Sequence, residues 1–146
     1  MQSRTVAAAA LVMVGLAGCS SPLTSAPAVP PGALPGGSAL VTIDDSKMIT
    51  SGVVSCLPIG SWMRITIGDA TAGVLITVDT TNELIANSVA FNDFGGFTGS
   101  YWHDLQGSAR VGVVDQTYAV TGTARGFNAD NPSFSTQERF TVNVAC

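Results

Sequence analysis

Alternation of apolar and polar residues with period two runs through most of the chain after residue 38. In Trp62-Met63-Arg64-Ile65-Thr66-Ile67, Met63, Ile65 and Ile67 share one side, and Arg64 and Thr66 the other. Val74, Ile76 and Val78 fall together in the same way, and Tyr118-Ala119-Val120-Thr121-Gly122-Thr123-Ala124 also alternates. In Phe140-Thr141-Val142-Asn143-Val144-Ala145-Cys146 the inward set is Phe140, Val142, Val144 and Cys146, and the same parity sets Val54 beside Cys56. Gly68-Asp69, Thr80-Thr81-Asn82, Gly95-Gly96, Asp115-Gln116 and Asn128-Ala129-Asp130-Asn131-Pro132 punctuate these runs with turn-forming residues. Seven or eight short strands rich in Val, Ile and Thr predict a mostly β domain, a small antiparallel β-sandwich or open barrel. A helical turn or two is expected only at residues 81–86.

The first 38 residues read differently. Arg4 is followed by an apolar run, Thr5 to Ala17, that closes on Leu16-Ala17-Gly18-Cys19. At about 13 residues the run is shorter than the ~20 a membrane-spanning helix needs, so it reads as the core of a signal peptide. Leu-Ala-Gly-Cys is a bacterial lipobox, in which small residues admit the chain to a peptidase and the cysteine thiol takes a diacylglyceryl group. Cys19 is therefore the expected lipidation site, and its acyl chains make an effectively permanent tether at about 0.8 kcal/mol per buried methylene. Residues 20–38 hold five of the seven prolines and no charge, a composition that favours extended conformations over a core. The expected organisation is a signal peptide at 1–18, a lipidated N-terminus and linker at 19–38, and a β-rich domain at 39–146.

Charge narrows the function classes. Without residues 1–18 the chain has five Lys and Arg against ten Asp and Glu, a formal charge of −5. Arg64, Arg110, Arg125 and Arg139 are isolated along the sequence, so neither nucleic-acid binding nor electrostatic docking on anionic lipid is expected. Membrane attachment then rests on the acyl group alone. With Cys19 acylated, Cys56 and Cys146 remain, and an exported domain with two thiols most simply joins them in one disulfide.

Catalytic chemistry finds few supports. A zinc site needs about four His, Cys or carboxylate ligands, and His103 is the single histidine, so neither a metal nor another cofactor is expected. His103 and Asp104 are neighbours that a strand would point to opposite sides, and no Gly-x-Ser-x-Gly elbow frames a serine. Asp44, Asp45, Asp69, Asp79 and Glu83 sit at expected turns, where carboxylates bond locally. Residues 91–104, Phe-Asn-Asp-Phe-Gly-Gly-Phe-Thr-Gly-Ser-Tyr-Trp-His-Asp, hold five of the ten aromatics. Two readings stand: Phe91, Phe97 and Trp102 close the core around a Gly95-Gly96 turn, or Phe91, Phe94, Phe97, Tyr101 and Trp102 form a ligand or partner surface.

Gly52-Val53-Val54-Ser55-Cys56, Ile65-Thr66-Ile67-Gly68-Asp69-Ala70-Thr71-Ala72-Gly73, Tyr118-Ala119-Val120-Thr121-Gly122-Thr123-Ala124-Arg125-Gly126 with the following Asn131-Pro132, and the terminal Phe140 to Cys146 run resemble the mycobacterial LpqH-type (19 kDa antigen) lipoproteins. The likeness extends from lipobox to terminal cysteine. It implies an envelope lipoprotein with a small β domain, a disulfide between the positions of Cys56 and Cys146, and no catalytic activity. It also implies a surface antigen whose acylated N-terminus is sensed by host Toll-like receptor 2. The combined expectation is a non-enzymatic lipoprotein, anchored at the outer face of the cell membrane or in the envelope, with an interaction surface for a lipid or glycan. The alternative is a lipid or glycolipid carrier with an apolar cavity.

Overall fold

The structure, a computed structural model, describes residues 32–45 and 47–146, without the side chains of Lys47 and Met48. Among these residues every regular element is a strand: β1 (Ala39–Ile43), β2 (Lys47–Ser51), β3 (Val54–Ile59), β4 (Trp62–Gly68), β5 (Gly73–Asp79), β6 (Ile85–Phe94), β7 (Phe97–Trp102), β8 (Ser108–Val114), β9 (Thr117–Asn128) and β10 (Thr136–Ala145). All pair antiparallel in one sheet of order β2-β1-β10-β9-β7-β6-β5-β4-β3, with β8 also on β9.

One strand is shared unequally, and that bends the sheet. β7 pairs with the end of β9 from Phe97↔Asn128 to Ser100↔Arg125. It then stays with β6, through Val89↔Tyr101 and Ser88↔Trp102, while β8 takes over the edge of β9 from Ser108↔Thr123. Two halves result, β3 to β7 and β8-β9-β10-β1-β2, hinged at the start of β7. Gly99 and Gly126 pair at this hinge, and a Cβ on Gly126 would run into the Thr98 and Gly99 backbone. Strands can cross there only because both side chains are absent.

The halves close on one core, so the sheet is an open barrel with β2 and β3 as its edges. The alternation placed Ile65, Ile67, Val74, Ile76, Val78, Phe140, Val142 and Val144 inward, and all are buried, while Met63, grouped with Ile65 and Ile67, is half-buried. Phe140 of β10 reaches across to Phe91 of β6, their ring centroids 5.3 Å apart. Cys56 of β3 is joined to Cys146 as a disulfide, with Cα atoms 5.8 Å apart. Cys146 itself is exposed, contrary to the parity of its run. β10 ends at Ala145, and the last residue turns away to donate its N–H to the Gln116 carbonyl.

The expected helical turn at residues 81–86 is absent. Asp79 Oδ1 accepts the Thr81 N–H and hydroxyl, at 2.8 and 2.6 Å. This side-chain turn competes with a helix start, and Ile85 already lies in β6 opposite Asp79. Gly95 and Gly96 make the expected tight turn, both with positive φ (61° and 82°), between paired Phe94 and Phe97.

The end of the linker is fastened to the domain. The Leu34 N–H donates to Thr117 Oγ1 at 2.9 Å, the Gly37 N–H to the Ala145 carbonyl, and the Ala145 N–H to the Ser38 carbonyl. Thr117 and Ala145 have the parity of outward residues, yet both are buried beneath this segment. Cys19, the expected signal peptide and the first part of the linker lie outside the described residues.

Candidate functional site

The aromatic segment divides at its last member. Phe91, Phe94, Phe97 and Tyr101 are buried, at 5% exposure or less, whereas Trp102 is 47% exposed. Core closure thus holds for Phe91 and Phe97, with Phe94 and Tyr101 joining them against the surface reading, and it fails for Trp102, whose ring stays on the surface. Period-two alternation on β6 puts Phe91 in line with buried Val89, and the Gly95-Gly96 turn folds Phe97 back onto it, ring centroids 5.6 Å apart. Tyr101 is buried with its hydroxyl donating to the Ala86 carbonyl at 2.9 Å, which satisfies its polar end. Burial, and then the nearby Asp104 charge, push its phenol above the usual tyrosine range.

Trp102 has company that the aromatic count missed. Trp62 shares the parity of Arg64 and Thr66, which the alternation had set on the outward side, and it is 39% exposed. Register ties the two: Trp102 lies opposite Ser88, Ser88 opposite Thr77, Thr77 opposite Arg64 and Arg64 opposite Leu57. Trp62 is two residues from Arg64 on β4. Three strand spacings of about 4.8 Å and a two-residue offset of about 7 Å separate the indoles by roughly 16 Å at the backbone. Trp102 Nε1 donates to Ser100 Oγ at 3.2 Å, which restrains that ring. Leu57, Ile59 and Leu75 are exposed on the same side. A shallow groove of about 260 Å³ runs beside Leu75, lined by Thr66, Ala90 and Asn92.

The other candidates are turns or staples. His103 and Asp104 do meet, Nε2 to Oδ2 at 3.4 Å, because β7 ends at Trp102 and both residues lie in the following turn. The second imidazole nitrogen faces the Tyr101 hydroxyl at 3.2 Å, a group already committed to Ala86, so no hydroxyl nucleophile is set up. Asp69 accepts from the Thr71 hydroxyl and from the Ala72 and Thr71 N–H groups, and these bonds hold its carboxyl below the ordinary value. Thr81 does the same for Asp79. Asp69 is an exposed turn residue, and Asp79 is the half-buried last residue of β5. Among the described residues no three His, Cys, Asp or Glu side chains gather as a metal would require.

The sequence-isolated arginines are not isolated in space. Arg110, Arg125 and Arg139 all stand exposed on the outward side of β8, β9 and β10, and Arg125, paired with Ser100, borders Trp102 there. Register alone collects them, which a reading of linear spacing does not capture.

Comparison with known proteins places this geometry in a family. The family model described as Mycobacterium 19 kDa lipoprotein antigen matches residues 32–146. A putative lipoprotein of Mycobacterium avium subsp. hominissuis is 34% identical, over 100% of this chain and 97% of its own. A putative lipoprotein of Mycobacterium indicus pranii is 32% identical over the full length of both. Lipoprotein LpqH of Mycobacterium bovis is 30% identical over 97% of this chain and 94% of the relative.

Proposed function

The chain belongs to the Mycobacterium 19 kDa lipoprotein antigen family, and from that premise we propose that it is a non-enzymatic envelope lipoprotein, held on the outer face of the cell membrane through acyl groups on Cys19. The observation that carries this reading is the Leu-Ala-Gly-Cys lipobox ahead of a proline-rich linker in a family of lipoproteins. The acylated N-terminus is then also what host Toll-like receptor 2 would sense, as the family resemblance implies. Replacing Cys19→Ala removes the thiol that takes the diacylglyceryl group, and the variant is expected in the soluble fraction or medium. Unchanged membrane fractionation would overturn the reading.

The exposed tryptophan pair supports a binding role for the domain. Two indoles on one side of a rigid sheet, with exposed Arg64 and half-buried Thr77 between them on that side, suit an extended glycan: rings cover sugar faces and polar side chains bond the sugar edges. Titrating envelope glycan fractions into the domain is expected to change its tryptophan emission, with the response reduced in Trp62→Ala and in Trp102→Ala. A fraction that binds equally well to the double variant would refute the assignment to this face. A lipid carrier needs an apolar cavity between the halves, and there the Phe91, Phe97 and Phe140 rings are in contact. The tryptophan-side groove of about 260 Å³ and the groove of about 360 Å³ on β8, β9 and β10 both lie on outward faces, so the carrier reading gains no support from them.

A further inference from the structure

Arg110, Arg125 and Arg139 are three of the six Lys and Arg in the chain, and they share one sheet face although the whole chain has a formal charge of −4. We propose that the outward face of β8, β9 and β10 is an electrostatic contact for the phosphate headgroups of anionic lipid in the membrane that tethers the protein. This rests on the reading that Cys19 is acylated, and it revises the expectation that attachment depends on the acyl group alone.

Local chemistry favours phosphate. Arg110 lies opposite Thr121, which lies opposite Thr141; Ser108 lies opposite Thr123, which lies opposite Arg139. These six residues line an open groove of about 360 Å³, with hydroxyl donors between two guanidinium groups. Guanidinium forks and hydroxyls match the oxygens of a phosphate. Arg125 lines a second groove of about 220 Å³ alongside, with Gln106 and Gln137. Asp45 reaches this face and meets Arg139 at 2.8 Å, but both partners are about two-thirds exposed, and such pairs open at little cost. Glu138 is buried and committed to Asn128 and Thr136.

The tether arrives on the same face. Leu34 is bonded to Thr117, an outward position of β9 four residues from Thr121, or about 14 Å along the strand. The 15 residues from Cys19 to Leu34 include four prolines, and at about 3.1 Å per residue they span at most about 45 Å. The anchor therefore confines the arginine face to within about 50 Å of the headgroups, which raises its effective concentration there far above that of a free domain. A contact too weak to recruit the free domain becomes populated once the chain is anchored. Trp102, two residues beyond the Ser100 that pairs with Arg125, then lies at the margin of this contact, and Trp62 lies three strands further from it.

Hydrogen exchange of the lipidated chain tests this, on vesicles of phosphatidylcholine alone and with phosphatidylglycerol added. The amides of β8 and of the β8–β9 turn are expected to exchange several-fold more slowly on the anionic vesicles. That protection is lost in about 0.5 M sodium chloride, and the Arg110→Gln/Arg139→Gln variant weakens the contact by about fivefold per arginine. An unchanged urea midpoint shows that the variant is folded. Equal exchange on both lipids, or protection moving to β3 and β4, would overturn the proposal while leaving the anchor intact. A chain that floats with neither vesicle loses the anchor reading, and this one with it.

Discussion

Removing the disulfide is the perturbation whose size the topology sets most directly. Cys56 and Cys146 are 90 residues apart, and the bond ties an edge strand to the end of the chain. In the chain-entropy model, closing a loop of that length removes about 4.6 kcal/mol of denatured-state freedom. Domains of this kind are stable by about 5–15 kcal/mol, so the double variant Cys56→Ser/Cys146→Ser gives up a third or more of the total. β3 has β4 as its single partner strand. Without the bond, β3 and the Cys146 contact to the β8–β9 turn are therefore the expected first places to open. With an m-value between about 1 and 2 kcal/mol/M, the urea midpoint should fall by roughly 2–5 M, and m itself should rise as the unlinked chain expands. Reduction of the native protein should reproduce the shift. A midpoint within about 0.5 M of native would refute the reasoning that loop closure stabilises this domain.

Other substitutions probe separate parts of the account. Phe140→Ala deletes a fully buried ring in contact with Phe91 and should cost about 3–5 kcal/mol in urea unfolding; a loss below 1.5 would show that the halves are not packed through this ring. Gln116 holds φ at 69° in the two-residue β8–β9 turn, so Gln116→Gly should stabilise by about 0.5 kcal/mol once the added unfolded-state entropy is subtracted, and destabilisation would contradict that. Tyr101 has its phenol raised by burial, so above pH 10 the unfolded chain releases its proton first. Stability conferred by the neutral phenol is complete below that pH and declines as pH rises through the folded value, a decline that Tyr101→Phe should blunt in alkaline denaturation curves.

The inner face was legible because burial enforces parity. Every apolar residue of the β5 and β10 runs that alternation assigned inward is buried up to Val144, and the rule fails at Cys146, where the strand has ended and the constraint has lapsed. Parity also held the clue to the tryptophans, since Trp62 is in phase with Arg64; counting aromatics in one segment drew attention to rings that the core absorbs. Two features lay beyond local pattern. The helical expectation at residues 81–86 failed to an Asp79–Thr81 side-chain turn. The arginine face depends on which strands are neighbours, and β8 and β10 meet β9 from opposite sides through pairings that no period in the sequence encodes.

The account turns on the chemistry of one thiol. Mass spectrometry of the N-terminal peptide from protein extracted from its own membrane decides it. The prediction is a peptide that begins at Cys19 and carries a thioether-linked diacylglyceryl group. A peptide that begins elsewhere, or a Cys19 with no acyl group, would contradict the tether and with it the membrane contact of the arginine face.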